Sequence, residues 1–124
     1  TAAKELTTLK KKFGVSADTF FKQNAYNLSS AGTQMLDLVI GFMSKYSGIK
    51  LEISTHTDNT GSPAANLLLS QKRADSMTNY LIINWVSITR LIPKGLGGSK
   101  PIASNFLEAE RKLNRRIEFT IIRK

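Results

Sequence analysis

The chain has 124 residues, 41% hydrophobic and 22% charged, which fits one ordinary domain able to bury about two-thirds of its unfolded surface. It has no cysteine and one histidine, which excludes disulfides and thiol chemistry and argues strongly against a structural zinc site. A net charge of +9 asks for an acidic partner without choosing it, and no run of 18 apolar residues offers a membrane-spanning helix.

In chain order, residues 1–12 read as a linker or short frayed helix ending in Lys10-Lys11-Lys12, and the domain proper as 13–124. Phe13, Val15, Ala17, Thr19 and Phe21 alternate, which predicts a first strand over about 13–21. Asn24 reads as a turn residue. Ser29-Ser30 offers a helix start, and Met35, Leu36, Val39, Ile40, Met43 and Tyr46 repeat at three and four, so a helix runs to just before Gly48 with its methionines in the core.

A strand follows over 49–55, with Ile49, Leu51, Ile53 and Thr55 on one face. His56 to Gly61 is polar or small and cannot extend a buried strand. Ser62 then reads as an N-cap and Pro63 as the first residue of a helix reaching Leu81, with Leu67, Ala74, Met77 and Leu81 on its apolar side. Asn66 and Arg73, two turns apart, share a face of that helix. Asp58 sits in the loop that enters it, near the positive end. A carboxylate, an amide and a guanidinium converging on one cleft suit a ligand with an ammonium and a carboxylate on one carbon: Asp58 takes the ammonium and Arg73 forks onto the carboxylate.

Beyond the helix, Asn84 to Thr89 is a turn with Trp85 as a lid over the helix end or, as a second reading, a sugar-stacking ring. Residues 90–96 form a short strand whose Pro93 places it at an edge or bulge. The glycines at 95, 97 and 98 do not have phosphate-loop spacing, which argues against nucleotide binding. A third helix is predicted over about 105–113 with Ser104 as cap. Ile117, Phe119 and Ile121 alternate in a last strand, with Asn114 capping a loop before it. Arg115 shares the parity of its buried face but stands at the strand mouth, aimed at the cleft; Arg116 points the opposite way, as a structural or solvated residue. The alternation of helix and strand is that of an α+β layer fold with helices over a sheet.

His56-Thr57-Asp58, Gly61, Asn66, Leu69-Ser70, Arg73-Ala74, Tyr80-Leu81, Arg90, Gly95, Pro101 and Asn114-Arg115-Arg116-Ile117-Glu118 together resemble the OmpA C-terminal-like domain, the family of the peptidoglycan-associated lipoprotein Pal and the flagellar stator protein MotB. The likeness runs from about Phe20 to Ile121. It implies a βαβαβαβ arrangement with a mixed four-stranded sheet covered on one face by helices. It also implies non-covalent binding of the peptidoglycan stem peptide in the periplasm of a Gram-negative-type bacterium, anchoring an envelope protein or complex whose membrane anchor, if any, is outside this segment. Asp58 and Arg73 would then hold a diaminopimelate-type centre, Asn24, Asn66 and Arg115 would align it, and the loop amides of Asn59, Thr60 and Gly61 would add donors. No cofactor or metal is implied.

Two departures bear on the site. Lys22 stands where the family frequently has an aspartate, and Thr55 replaces a common glycine before His-Thr-Asp, where its Cβ is expected to narrow the groove. His56 near Asp58 invites a hydrolase reading, but no Gly-x-Ser-x-Gly elbow or second acid/base carboxylate accompanies it, and the chain is read as non-catalytic, with His56 bonding locally to fix the loop. Two other readings stay open on residues alone: an envelope-complex module that has lost its ligand and holds other envelope proteins, and a polyanion binder. The basic residues are spread along the chain, without interleaved aromatics, so nucleic acid is not the expected partner.

Overall fold

The computed structural model describes residues 1–122; the domain end at 124 and the basic Arg123 and Lys124 lie outside the described residues. In chain order the elements are α1 (Ala2–Phe13), α2 (Ala17–Phe20), α3 (Ser30–Lys45), β1 (Lys50–His56), α4 (Pro63–Ile83), a 3-10 turn (Ile88–Arg90), β2 (Leu91–Gly97), α5 (Glu108–Asn114) and β3 (Ile117–Ile122). The fold is α+β. Its mixed sheet has three strands in the order β2-β1-β3, with β2 parallel and β3 antiparallel to the central β1.

The fourth strand expected over 13–21 is not formed. Gly14 at φ 73 ends α1, Ser16 caps the single turn α2 by accepting from Asp18 N–H, and the stretch meets the sheet edge through the isolated bridge Ser16–Arg116. The alternation misled because Phe20 and Phe21 are adjacent and both buried, which a strand facing one core cannot achieve. Residues 1–12, read as a linker or frayed helix, lie within α1. Thr1 caps it, the lysines of its last turn suit the negative helix end, and Leu6 is buried where α1 meets α3. Glu5 is tied across to Lys45 at 3.1 Å and to the Tyr46 hydroxyl.

The other helices and strands fall close to where the pattern puts them. Ser62 caps α4 by accepting from Ala65 N–H, with Pro63 in its first turn. The core between helices and sheet holds Phe20, Met35, Leu36, Val39, Met43, Leu51, Ile53, Met77, Leu81 and Ile117, all fully buried, each apolar side chain contributing about 1.5–3 kcal/mol. Leu67 is the exception on α4, being 53% exposed. There the helix backbone itself rests on β2. A Cβ on Gly95 would lie 2.1 Å from the Gln71 amide nitrogen, so no side chain fits between them, and Leu67 is left outside.

Thr55, opposite Gly95 in the sheet, is part of this seam. Its hydroxyl donates to the Ser70 carbonyl, and Ser70 Oγ accepts from Gly97 N–H at 2.9 Å. The Thr55 side chain therefore locks β1 to α4 and does not narrow a groove. Pro93 sits on the edge strand β2, as its missing N–H requires. Helix α5 starts three residues later than predicted: Ser104 Oγ accepts from Phe106 N–H within the preceding loop, and the helix is instead closed by Glu110, which accepts from Leu107 N–H at 3.3 Å. Trp85 is not a lid. At φ 76 its ring is turned out and 96% exposed, and the buried Val86 covers the helix end in its place.

Candidate functional site

The N-terminal half of α4, the loop after β1, α2 with the turn after it, and α5 with its C-cap Arg115 meet around an open cleft of about 580 Å³. Of the eight residues singled out in the sequence, six line it: Asn24, Asp58, Thr60, Asn66, Arg73 and Arg115. Asn59 and Gly61 do not; they lie on the exposed side of the loop, where Gly61 at φ 84 makes the turn that a side chain would strain.

Asp58 is only 7% exposed. Its Oδ1 accepts from Thr60 N–H at 2.8 Å and its Oδ2 from Arg115 Nη1 at 2.7 Å. Burial works against the carboxylate, but the Thr60 amide and the Arg115 guanidinium outweigh it and hold the pKa below the ordinary aspartate value. Each oxygen keeps a second lone pair, so the group still has acceptor capacity toward the cleft. Asn66 supports the loop from α4, donating from Nδ2 to Thr60 O at 2.9 Å and Asp58 O at 3.4 Å.

Arg73 enters from the next two turns of α4 and is 6% exposed. Its guanidinium lies 4.9 Å from the Phe21 ring centroid, while Nε donates to Ala25 O at 2.8 Å and Nη2 to Lys22 O at 3.1 Å. The turn carrying Asn24, at φ 60, is thus clamped by the arginine. Among the described residues Nη1 makes no hydrogen bond, and no ion pair joins Arg73 to Asp58 although both wall one cleft. Burial lowers the Arg73 pKa, and the Asp18 charge only partly offsets it.

Arg115 is engaged more fully than expected. Besides Asp58 it bonds Glu108 through Nη2 at 2.7 Å and Asp18 through Nη2 at 3.1 Å. These carboxylates, Glu108 first and then Asp18, raise its pKa. Asp18 and Glu108 were not picked out in the sequence, yet both line the cleft, as does Arg111. The charge that Lys22 fails to supply at this mouth comes from them; Lys22 itself is exposed on the wall and contributes its carbonyl to Arg73. The Ser16-Ala17-Asp18 capping sequence was the available signal for Asp18.

Two neighbours of the cleft have structural tasks. Asn114 is fully buried and pins the loop before α5, accepting from Ile102 N–H and Ala103 N–H at 2.8 and 2.9 Å and donating to Ala103 O and to Asn105 Oδ1. His56 does not bond locally through its ring. It is 2% exposed, neither nitrogen has a hydrogen-bond partner among the described residues, and Nε2 lies 3.3 Å from Glu118 Oε1 without the alignment of a hydrogen bond. Burial, then the Arg116 charge, lower its pKa, so the ring is neutral at pH 7.

This fold and this arrangement place the chain in a known class. The OmpA family profile matches residues 20–115, and the chain belongs to that family. It is 33% identical over 101 residues to the peptidoglycan-binding protein ArfA of Mycobacterium bovis, an alignment covering 82% of this chain and 31% of that protein. Among solved structures it is similar to a putative MotB-like protein from Desulfovibrio vulgaris, with a TM-score of 0.86, 20% identity and coverage of 99% of this chain and 90% of that one. It is also similar to the peptidoglycan-associated lipoprotein from Burkholderia pseudomallei, with a TM-score of 0.75, 25% identity and coverage of 83% and 87%. The chain spans less than half the length of the first curated relatives it matches, 24% of one and 46% of another.

Proposed function

We propose that this domain binds the stem peptide of peptidoglycan non-covalently and so anchors an envelope protein to the cell wall, without catalysis. The observation that carries this reading is the unpaired opposition in the cleft: Asp58 and Arg73 wall one cavity, each held by other groups, and neither neutralises the other. A zwitterionic carbon between them completes both, its ammonium on Asp58 and its carboxylate on Arg73 Nη1. The free side-chain centre of diaminopimelate has that pattern. The kinship with proteins named for peptidoglycan binding and association supports the same partner.

In this reading Asn24 and the Asn66 amide oxygen align the peptide, and Thr60 is a positioning residue whose amide holds Asp58. Arg115 is also a positioning residue. Three carboxylates already occupy it, so it fixes Asp58 and does not meet the ligand. Asn59 and Gly61 shape the loop.

Sedimentation with purified diaminopimelate-type peptidoglycan tests the proposal. The wild-type domain pellets with the wall, and Asp58→Asn, which keeps the shape and removes the charge, loses about 1.5–3 kcal/mol, or roughly 10- to 150-fold in affinity. Undiminished pelleting of that variant would sink the reading.

A further inference from the structure

An exposed aromatic residue lies two positions before the cleft-lining Glu108, and the stem-peptide contacts leave it unused. Phe106 is 85% exposed, with Leu107 at 57% next to it and Ile102 at 63% on the same loop. The loop is not loose. Arg111, itself part of the cleft wall, donates from Nη1 to Asn105 O at 3.2 Å and Phe106 O at 3.1 Å. Phe106 N–H donates to Ser104 Oγ at 3.1 Å, and the buried Asn114 holds Ile102, Ala103 and Asn105. Phe106 is two residues from the cleft-lining Glu108, so their Cα atoms lie within about 7.6 Å of each other.

We infer that Phe106, with Leu107 beside it, is a stacking platform for the saccharide from which the stem peptide hangs, a second subsite continuous with the cleft. The inference rests on the stem-peptide reading above. Its chemistry follows from the polymer: the peptide is covalently joined to a sugar, and the diamino acid is its third residue. A ligand gripped by its side-chain centre at Asp58 and Arg73 therefore keeps its sugar ring within three extended residues, roughly 10 Å, plus the length of that side chain. The apolar C–H face of a pyranose packs on an aromatic face, and a ring whose backbone is already fixed loses little freedom on contact.

Calorimetry with two ligands tests this: the free stem tripeptide, and the same tripeptide on its N-acetylglucosaminyl-N-acetylmuramyl disaccharide. The wild type is expected to bind the disaccharide form about 3- to 10-fold more tightly. Phe106→Ala abolishes that gain and binds the free peptide like the wild type, while Phe106→Tyr keeps the gain. Trp85→Ala, an equally exposed ring at the far end of α4, changes neither. Wild type that binds both ligands equally, or Phe106→Ala that weakens both alike, overturns the platform and leaves the peptide site standing. Failure of the wild type to bind either ligand overturns both. Sedimentation showing that Phe106→Ala converts a dimer of the free domain to monomers would make the face an interface between copies instead, and overturn the saccharide assignment.

Discussion

Arg115 and Arg116 are adjacent and chemically identical, and the bend between α5 and β3 sends their heads to different surroundings. Arg115 comes out at the cleft and collects Asp18, Asp58 and Glu108, two of which are largely solvated. Arg116 is 6% exposed and is spent on the fold: Nε bonds Glu118 at 2.8 Å, Nη2 bonds Lys100 O at 2.9 Å, and Nη1 reaches Asn114 O at 3.4 Å. The difference teaches that residue type sets what an arginine can hold, whereas its place in the bend and its burial set whether that grip serves ligand or stability.

The largest effect that separates the two faces is on stability. Arg116→Ala leaves two carbonyls and a carboxylate without their donor at a nearly closed site, and should cost about 2–4 kcal/mol, read from urea denaturation. Arg115→Ala should cost less, about 1–2 kcal/mol, because two of its three ion pairs are exposed and contribute little, and only the Asp58 pair is buried. A reversed order would break the comparison.

Binding should show the converse, with a smaller effect. Arg115→Ala removes one of the two groups that hold Asp58 and should weaken stem-peptide binding about 3- to 10-fold, the worth of one net hydrogen bond. Arg116 variants that remain folded should bind as the wild type does.

The smallest effects are in pH dependence, and they fall in separate windows. Asp58 has a folded pKa depressed below its unfolded value near 3.8, so its contribution is whole above about pH 4 and is lost as pH falls through the folded value. His56, on the Arg116 side, also has a depressed folded pKa, below 6.5. As pH drops from there the unfolded chain takes up the proton first, so stability begins to decline near pH 6.5. His56→Leu should flatten the denaturation midpoint between about pH 6.5 and 5 and leave the more acidic loss in place. An unchanged slope would show that the buried ring is not its source.

Parity and periodicity explain what the sequence revealed. Helices α3 and α4 and the three strands follow from repeats of 3.6 and 2 within one element. The six cleft residues were found because the loop-to-helix junction puts three of them together locally and the family motifs add the others. Asp18 and Glu108 were missed for a different reason. Asp18 is 97 residues from Arg115 in sequence, so no local pattern links the two, and Glu108 lies at the start of a helix whose predicted start is three residues earlier. The stretch around Asp18 also alternates like a strand although Phe20 and Phe21 pack together on the core side. Trp85 escaped because nothing local signals that a bulky residue takes φ 76. The exposure of Leu67 follows from Gly95, which lets the α4 backbone onto β2, a contact between segments more than twenty residues apart.

The central claim is that the cleft reads both charges of one carbon, and a change in the ligand alone tests it with the protein untouched. Titration calorimetry of the wild-type domain should be run against two stem tripeptides that differ only in the third residue, meso-diaminopimelate or lysine, the latter lacking the carboxylate meant for Arg73. The account predicts that the diaminopimelate peptide binds at least about tenfold more tightly. Equal affinity for the two would contradict it.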